Sequence, residues 1–241
     1  MPPFTFIISK EYPVKLLLDT ANLADIRYFN TYYPIEGATT NPTILSKEGG
    51  NVLELLSSIR AIIGHKKELH VQVTETVCDK MVEEAEAIVA FLGPKTVVKI
   101  PITDEGLRAT AILAKRGIDV TVTAVLTAAQ AMLAANAGAA YVAPYVSRQE
   151  NLCADGVGTV AEIVKILDAS NVQTKVLAAS FKTAKEVLDV AVVGCHTATV
   201  SAGTMRNLLS HTTTDTSIAR FVEDWKKSFG DVTLLELLKN K

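Results

Sequence analysis

The sequence predicts a (β/α)8, or TIM, barrel with an extra C-terminal helix. Three observations point there. From Lys15 onward, short apolar runs alternate with longer segments of helical periodicity. The alternation repeats about eight times, at roughly thirty residues per unit, which is the size of a strand-helix repeat in such a barrel. Several helical segments stop at glycine, namely Gly64, Gly93, Gly117, Gly138 and Gly194, the expected signal just past a helix end. A doubly wound open sheet is the competing architecture. It would want Gly-x-Gly-x-x-Gly after its first strand, where this chain has Asp19-Thr20-Ala21-Asn22.

The strand candidates, in order, are Leu16-Leu17-Leu18, Gly37-Ala38-Thr39, His70 to Val73, Thr96 to Ile100, Val120 to Val125, Tyr141 to Tyr145, Lys175 to Ala179 and Thr197 to Val200. Each is short and apolar, as a strand covered on both faces must be. Helical spacing fits Val52 to Ile63, Met81 to Leu92, Leu107 to Lys115, Ala128 to Ala137, Val160 to Leu167 and Ala184 to Val193. Residues 1–15 read as an N-terminal extension or an extra strand, with an apolar patch at Phe4 to Ile8. After Thr214 one amphipathic helix is expected, Asp215 to Phe229, with Ile218, Phe221, Val222 and Trp225 on one face. That face packs either on the protein's own barrel or on a neighbouring subunit. No linker or low-complexity stretch interrupts residues 1–241, so a single domain is expected.

Composition removes several functional classes. A chain of 241 residues, 49% hydrophobic, can bury a large core. A net charge of -2 gives no electrostatic case for nucleic acid or an anionic membrane. No apolar stretch is long enough to span a bilayer, and no basic segment precedes the N-terminal apolar patch as in a secretory signal. Cys78, Cys153 and Cys195 lack CxxC spacing, and His65, His70, His196 and His211 stand apart. Neither a disulfide framework nor a metal set is expected, and the predicted location is the cytoplasm. His70 is expected to be a hydrogen-bonded structural histidine.

The stretch Thr96-Val97-Val98-Lys99-Ile100-Pro101 carries the chemistry. Burying an ammonium group is costly, so a lysine inside this strand must find a partner or lose its proton. Deprotonated, it is an amine nucleophile able to form a Schiff base with a carbonyl. Alternatively, Lys99 reaches solvent or pairs with a structural carboxylate. Polar residues recur at the other strand ends, where barrels of this kind place their sites: Asp19, then Thr39, Thr40 and Asn41, then Gln72, Thr123, Tyr145 and Ser180. Arg148 follows Tyr145, and Ser180-Phe181-Lys182-Thr183 is expected to open a helix after the seventh strand. Basic side chains near a helix N-terminus suit a phosphate, or form surface ion pairs.

Five motifs carry a family resemblance: Leu-Leu-Leu-Asp-Thr-Ala (16–21), Ala-Thr-Thr-Asn-Pro-Thr (38–43), Val-Val-Lys-Ile-Pro-Ile-Thr (97–103), Val-Ala-Pro-Tyr-Val-Ser-Arg (142–148) and Val-Leu-Ala-Ala-Ser-Phe-Lys-Thr (176–183). The chain resembles the small transaldolase family from Leu16 to Phe229, nearest its fructose-6-phosphate aldolase branch. The resemblance implies a class I, metal-free aldol mechanism without cofactor, on sugar phosphates of dihydroxyacetone type. It implies Lys99 as the Schiff-base lysine and Asp19 as the carboxylate that meets substrate hydroxyls. Asn41, Thr39 and Ser180 become substrate-binding, Thr123 holds a catalytic water, and Arg148 with Ser180 or Lys182 meets the phosphate. Gln72 and Tyr145 follow the aldolase pattern; transaldolases carry glutamate and phenylalanine there. Leu126 departs from the aromatic residue common in the family. The resemblance also implies a homo-oligomer, a pentamer or decamer, with the C-terminal helix exchanged between neighbours.

Overall fold

The computed structural model describes residues 14–239. The expected N-terminal extension lies outside them except for its last two residues, of which Lys15 opens the first strand. The chain divides into two units, one ending at Met205 and the other beginning at Arg206.

In the first unit, eight strands close into a barrel in sequence order. They are β1 Lys15–Asp19, β2 Ile35–Thr39, β3 Glu68–Gln72, β4 Thr96–Pro101, β5 Val120–Val125, β6 Tyr141–Pro144, β7 Lys175–Ala178 and β8 Thr197–Val200. Every neighbouring pair is parallel, including β1 with β8. The helices are α1 Leu23–Tyr32, α2 Pro42–Glu48, α3 Val52–Ile63, α4 Cys78–Leu92, α5 Asp104–Lys115, α6 Ala128–Asn136, α7 Val146–Glu150, α8 Gly156–Ser170, α9 Ala184–Val192 and α10 Ala202–Leu209. The expected (β/α)8 barrel is therefore what the chain forms. Six of the eight strands differ from the expected bounds by one or two residues at an end; at the site, β6 ends at Pro144, and Tyr145 is the N-cap of α7.

Side-chain alternation along the strands sorts the core into two shells. Val98, Ile100, Val120, Val122, Val142 and Val176 face outward onto Met81, Ala85, Leu113 and Ile163 of the helices. Leu17, Val97, Tyr141, Ala143 and Leu177 cluster together inside the barrel. Hydroxyl contacts join alternate strands across the interior: Thr39 on β2 meets Thr199 on β8, and His70 on β3 meets Thr121 on β5. Side chains from alternate strands share one layer in this fold, so these contacts mark two successive polar layers.

Gly37 is required by packing. A Cβ there would overlap the Glu68 carbonyl oxygen, its register partner on β3. The glycines past the helix ends, Gly64, Gly93, Gly117, Gly138 and Gly194, all have positive φ, as the stop signals predict.

The second unit holds α11 Thr212–Phe229 and α12 Leu234–Lys239. Helix α11 starts three residues before the expected Asp215. Within the unit, the Trp225 indole donates to the Val232 carbonyl at 2.7 Å and its ring lies 4.6 Å from that of Phe229. Ile218, Phe221 and Val222 are exposed.

Candidate active site

The predicted polar residues occupy one end of the barrel. Asp19, Thr39 and Gln72 are the last residues of β1, β2 and β3. Lys99 and Thr123 sit two residues before the ends of β4 and β5, Tyr145 follows β6 directly, and Ser180 follows β7 by two residues. Because all strands run parallel, these positions face the same mouth.

Lys99 is 6% exposed. Its neighbours Val98 and Ile100 are fully buried in the outer shell, so alternation turns the lysine inward. The amine donates to the Thr40 carbonyl at 2.9 Å. Thr40 is itself pinned, its N–H and hydroxyl both bonding the His70 carbonyl at 2.9 and 3.1 Å. Burial pulls the Lys99 pKa below the ordinary lysine value, against the opposing pull of the Asp19 charge. Asp19 moves the other way. Burial raises its pKa, and Lys99 with the Thr39 hydroxyl only partly offsets that. Each shift favours the neutral form, which for the lysine is the nucleophilic one.

Thr39 donates to Asp19 Oδ1 at 2.6 Å and lies 2.6 Å from the Thr199 hydroxyl. Asn41 caps α2, its Oδ1 accepting from the Ile44 N–H at 2.9 Å. That bond fixes the side chain at the mouth. Gln72 is the register partner of Lys99 on β3.

The opposite wall is built by β5 and the β6–α7 turn. Tyr145 OH lies 3.4 Å from Thr123 Oγ1, close enough to share a proton directly or through one water. The Arg148 guanidinium sits 4.5 Å over the Tyr145 ring, and Gln149 Nε2 holds the Tyr145 carbonyl at 2.9 Å. Ala124 and Ser180 both adopt positive φ, 62° and 65°. A non-glycine residue in that conformation costs about 1–3 kcal/mol, and such strain concentrates at working sites. At Ala124 the β5–β6 register shifts, a bulge directly after Thr123, and Leu126 just beyond the strand is 39% exposed.

The phosphate end differs in detail from the sequence reading. Helix α9 begins at Ala184 with Thr183 as N-cap. The N–H groups of Lys182 and Thr183, free donors in the simplest picture, go to the Glu186 carboxylate at 2.7 and 3.1 Å. The Lys182 amine reaches Asn151 Oδ1 at 3.1 Å, and both Lys182 and Arg148 are exposed. A phosphate here would therefore meet side chains rather than those two amides. Glu186 was legible as the fourth residue of a Thr-x-x-Glu capping box, Thr183 to Glu186.

A second buried polar group was not anticipated in full. His70, fully buried, places Nδ1 2.9 Å from Thr121 Oγ1 and Nε2 3.1 Å from Glu68 Oε2. Tyr141 OH donates to the same carboxylate at 2.9 and 3.1 Å. Burial pushes the His70 pKa down, while Glu68 opposes it. Burial pushes Glu68 up, but the bonds from His70 and Tyr141 bring it below the usual carboxylate range. An ionised carboxylate can only accept, so Nε2 carries the imidazole proton and Nδ1 accepts from Thr121. The structural role expected of His70 is the one it fills.

Comparison with known proteins adds the following. Residues 16–237 match the family described as Transaldolase/Fructose-6-phosphate aldolase. A protein named "Probable transaldolase" from Clostridium acetobutylicum is 38% identical over 216 residues, covering 90% of this chain and 99% of its own. Another of that name, from a Thermoanaerobacter species, is 38% identical over 215 residues, covering 89% and 98%. A solved structure described as "Native KDPGal structure" superposes with a TM-score of 0.55 at 14% identity, over 80% of this chain and 84% of that one. That last likeness is one of fold.

Proposed function

The chain belongs to the transaldolase/fructose-6-phosphate aldolase family, and from that premise we propose that it is a Schiff-base aldolase cleaving fructose 6-phosphate reversibly to dihydroxyacetone and glyceraldehyde 3-phosphate. The observation that carries the reading is the Lys99 amine, buried, pKa-depressed and held on the Thr40 carbonyl beside Asp19.

The neutral amine adds to the C2 ketone, and loss of water leaves a cationic iminium ion. The C3–C4 bond breaks, its electron pair flowing into the iminium to give an enamine. Asp19 takes the C4 hydroxyl proton as C4 becomes the aldehyde of glyceraldehyde 3-phosphate. Tyr145 then delivers a proton to C3, through a water held by Thr123 and Gln72, and hydrolysis frees dihydroxyacetone and Lys99. Asn41, Thr39 and Ser180 hold substrate hydroxyls. Arg148, with Lys182, holds the phosphate and contributes orientation. No cofactor enters this scheme.

A second reading is that of a transaldolase, the name both relatives carry, moving the dihydroxyacetone unit to erythrose 4-phosphate. The Tyr145 hydroxyl near Thr123 supports the lyase, because it supplies the proton that lets the enamine leave. Two measurements separate the readings. Borohydride reduction with dihydroxyacetone should add mass at Lys99. Fructose 6-phosphate alone should yield free dihydroxyacetone; release that needs an acceptor sugar would favour the transferase.

We also propose a cytoplasmic homo-oligomer, a pentamer or decamer, in which α11 docks on a neighbouring subunit; its exposed Ile218, Phe221 and Val222 support this. Among the described residues no helix is long and apolar enough to cross a membrane.

A further inference from the structure

We propose that Thr199 on β8 is a positioning residue, which commits the Thr39 proton to Asp19 and so leaves Asp19 Oδ2 as the oxygen that takes the substrate proton. The inference rests on Asp19 being the base in the reaction above.

The argument is one of counting protons. Thr39 has a single hydroxyl proton and two short contacts, 2.6 Å to Asp19 Oδ1 and 2.6 Å to Thr199 Oγ1. To act as the base Asp19 must be ionised despite the rise that burial imposes, and an ionised carboxylate has no proton to give, so Thr39 donates to Asp19. Its contact with Thr199 is then satisfied only if Thr199 donates to Thr39. The chain runs in one direction: Thr199 to Thr39 to Asp19 Oδ1. All three residues belong to neighbouring strands whose register is fixed, β8 with β1 and β1 with β2. Thr39 and Thr199 are almost completely buried, so water does not substitute readily for either hydroxyl.

Three consequences follow. Oδ1 is occupied by a short charge-assisted bond, and Oδ2 is the oxygen left for chemistry. Thr39 has no proton to spare, so toward a substrate hydroxyl it acts as acceptor only. Donation from Thr199 polarises the Thr39 hydroxyl and strengthens its bond to the carboxylate. That bond helps to offset the rise that burial imposes on the Asp19 pKa. The charged group whose field reaches Asp19 is Lys99, facing it from β4.

The test uses the full-length enzyme with Thr199→Val, Thr199→Ser and Thr39→Val, measuring kcat and KM for fructose 6-phosphate across pH. Removing the Thr199 hydroxyl weakens the bond to Asp19 and raises its pKa. The acid limb of kcat should move upward by about half a pH unit, with kcat about three- to ten-fold lower and KM nearly unchanged. Thr39→Val removes the donor itself and should move the limb further. Thr199→Ser retains the hydroxyl and should restore the wild-type profile. An acid limb that stays put in Thr199→Val, or a serine variant as impaired as the valine one, overturns the proposal. Borohydride trapping on wild-type separates the two levels of failure. No mass gain at Lys99 overturns both the aldolase reading and the role of Thr199; a mass gain with an unmoved acid limb overturns the role of Thr199 alone.

Discussion

On the lyase mechanism proposed above, replacing Tyr145 by phenylalanine should leave a transferase. The substitution removes one oxygen and little else. The ring keeps its place, because the Gln149 amide holds the Tyr145 backbone carbonyl and the Arg148 guanidinium lies over the aromatic face, a contact phenylalanine reproduces. The lost contact with Thr123, at 3.4 Å, is long for a hydroxyl pair and adds little to stability. The chemical loss is larger. Proton delivery by a positioned side chain is worth roughly 10²–10⁴ in rate, or about 2.7–5.4 kcal/mol of barrier. In the proposed scheme only enamine protonation bears that loss, since carbon-carbon cleavage draws there on Lys99 and Asp19.

The assay has two arms. In the first, fructose 6-phosphate is supplied alone and free dihydroxyacetone is followed enzymatically; release should fall by about 10²-fold or more. In the second, erythrose 4-phosphate is added; transfer should persist at or above the wild-type rate, because the enamine now waits for an acceptor. Borohydride trapping should show more protein carried as adduct at steady state. Release of dihydroxyacetone at the wild-type rate would refute the argument, since the proton would then come from another group.

Three further outcomes are expected. Lys99→Met should abolish trapping and activity; it should also remove a rise in wild-type stability that begins at the depressed folded pKa of Lys99 and ends near the ordinary value of about 10.4, where the unfolded chain holds the proton and the folded chain does not. Melting temperature against pH for both proteins checks this, and parallel curves would contradict it. Arg60→Met should cost about 3 kcal/mol and lower Tm by roughly 6–12 °C, because this buried guanidinium ties together the carbonyls of Gly64, Lys67 and Lys95 and the Thr96 hydroxyl; a shift of only a degree or so would show those acceptors finding water. Gly37→Ala should cost about 3 kcal/mol or more by forcing β2 from β3 at the Glu68 carbonyl, read as lost soluble yield or a lower denaturation midpoint; wild-type stability would mean that the strands can part without penalty.

What was legible in the sequence follows the strength of the local signal. Strands β5 and β8 stand where their apolar runs place them, Val120–Val125 and Thr197–Val200. Buried parallel strands are apolar on both faces, a pattern that short runs bounded by turn residues make visible. Helix α8 starts at Gly156, four residues before the expected Val160, because Gly156 and Gly158 hide a first turn that the Asp155 side chain caps. Helix α1 was not singled out, although Asn22 caps it and Ile26 and Phe29 bury one face; tyrosines at positions 28 and 32, both exposed, blur the stripe. Helix α7, five residues long, is too short for periodicity to register. At the mouth, the charged and amide groups were readable because polar residues at buried strand ends are conspicuous. Thr199 and Glu68 were not. A threonine inside a strand is an ordinary strand residue until the partner across the barrel is known, and Glu68 begins a strand whose closing partner, Tyr141, lies 73 residues away.

The place of the proposed nucleophile is decided by its neighbours in the strand and in the barrel layer below it. Lys99 lies between Val98 and Ile100, both fully buried against the helices. Slipping β4 by one residue would turn both inward and drive the ammonium into the outer shell. Burying each of those side chains is worth about 1.5–3 kcal/mol, and the helix residues that Val98 and Ile100 pack against are apolar. Against that, the observed register gives the amine the Thr40 carbonyl, whose own position depends on two bonds to the His70 backbone. His70 is in turn anchored at its side chain by Thr121 and Glu68. The lysine therefore rests on a polar layer that the apolar register makes possible. A change at Glu68 or His70 would reach the amine by loosening Thr40, and would be felt in imine formation before it was felt in substrate affinity.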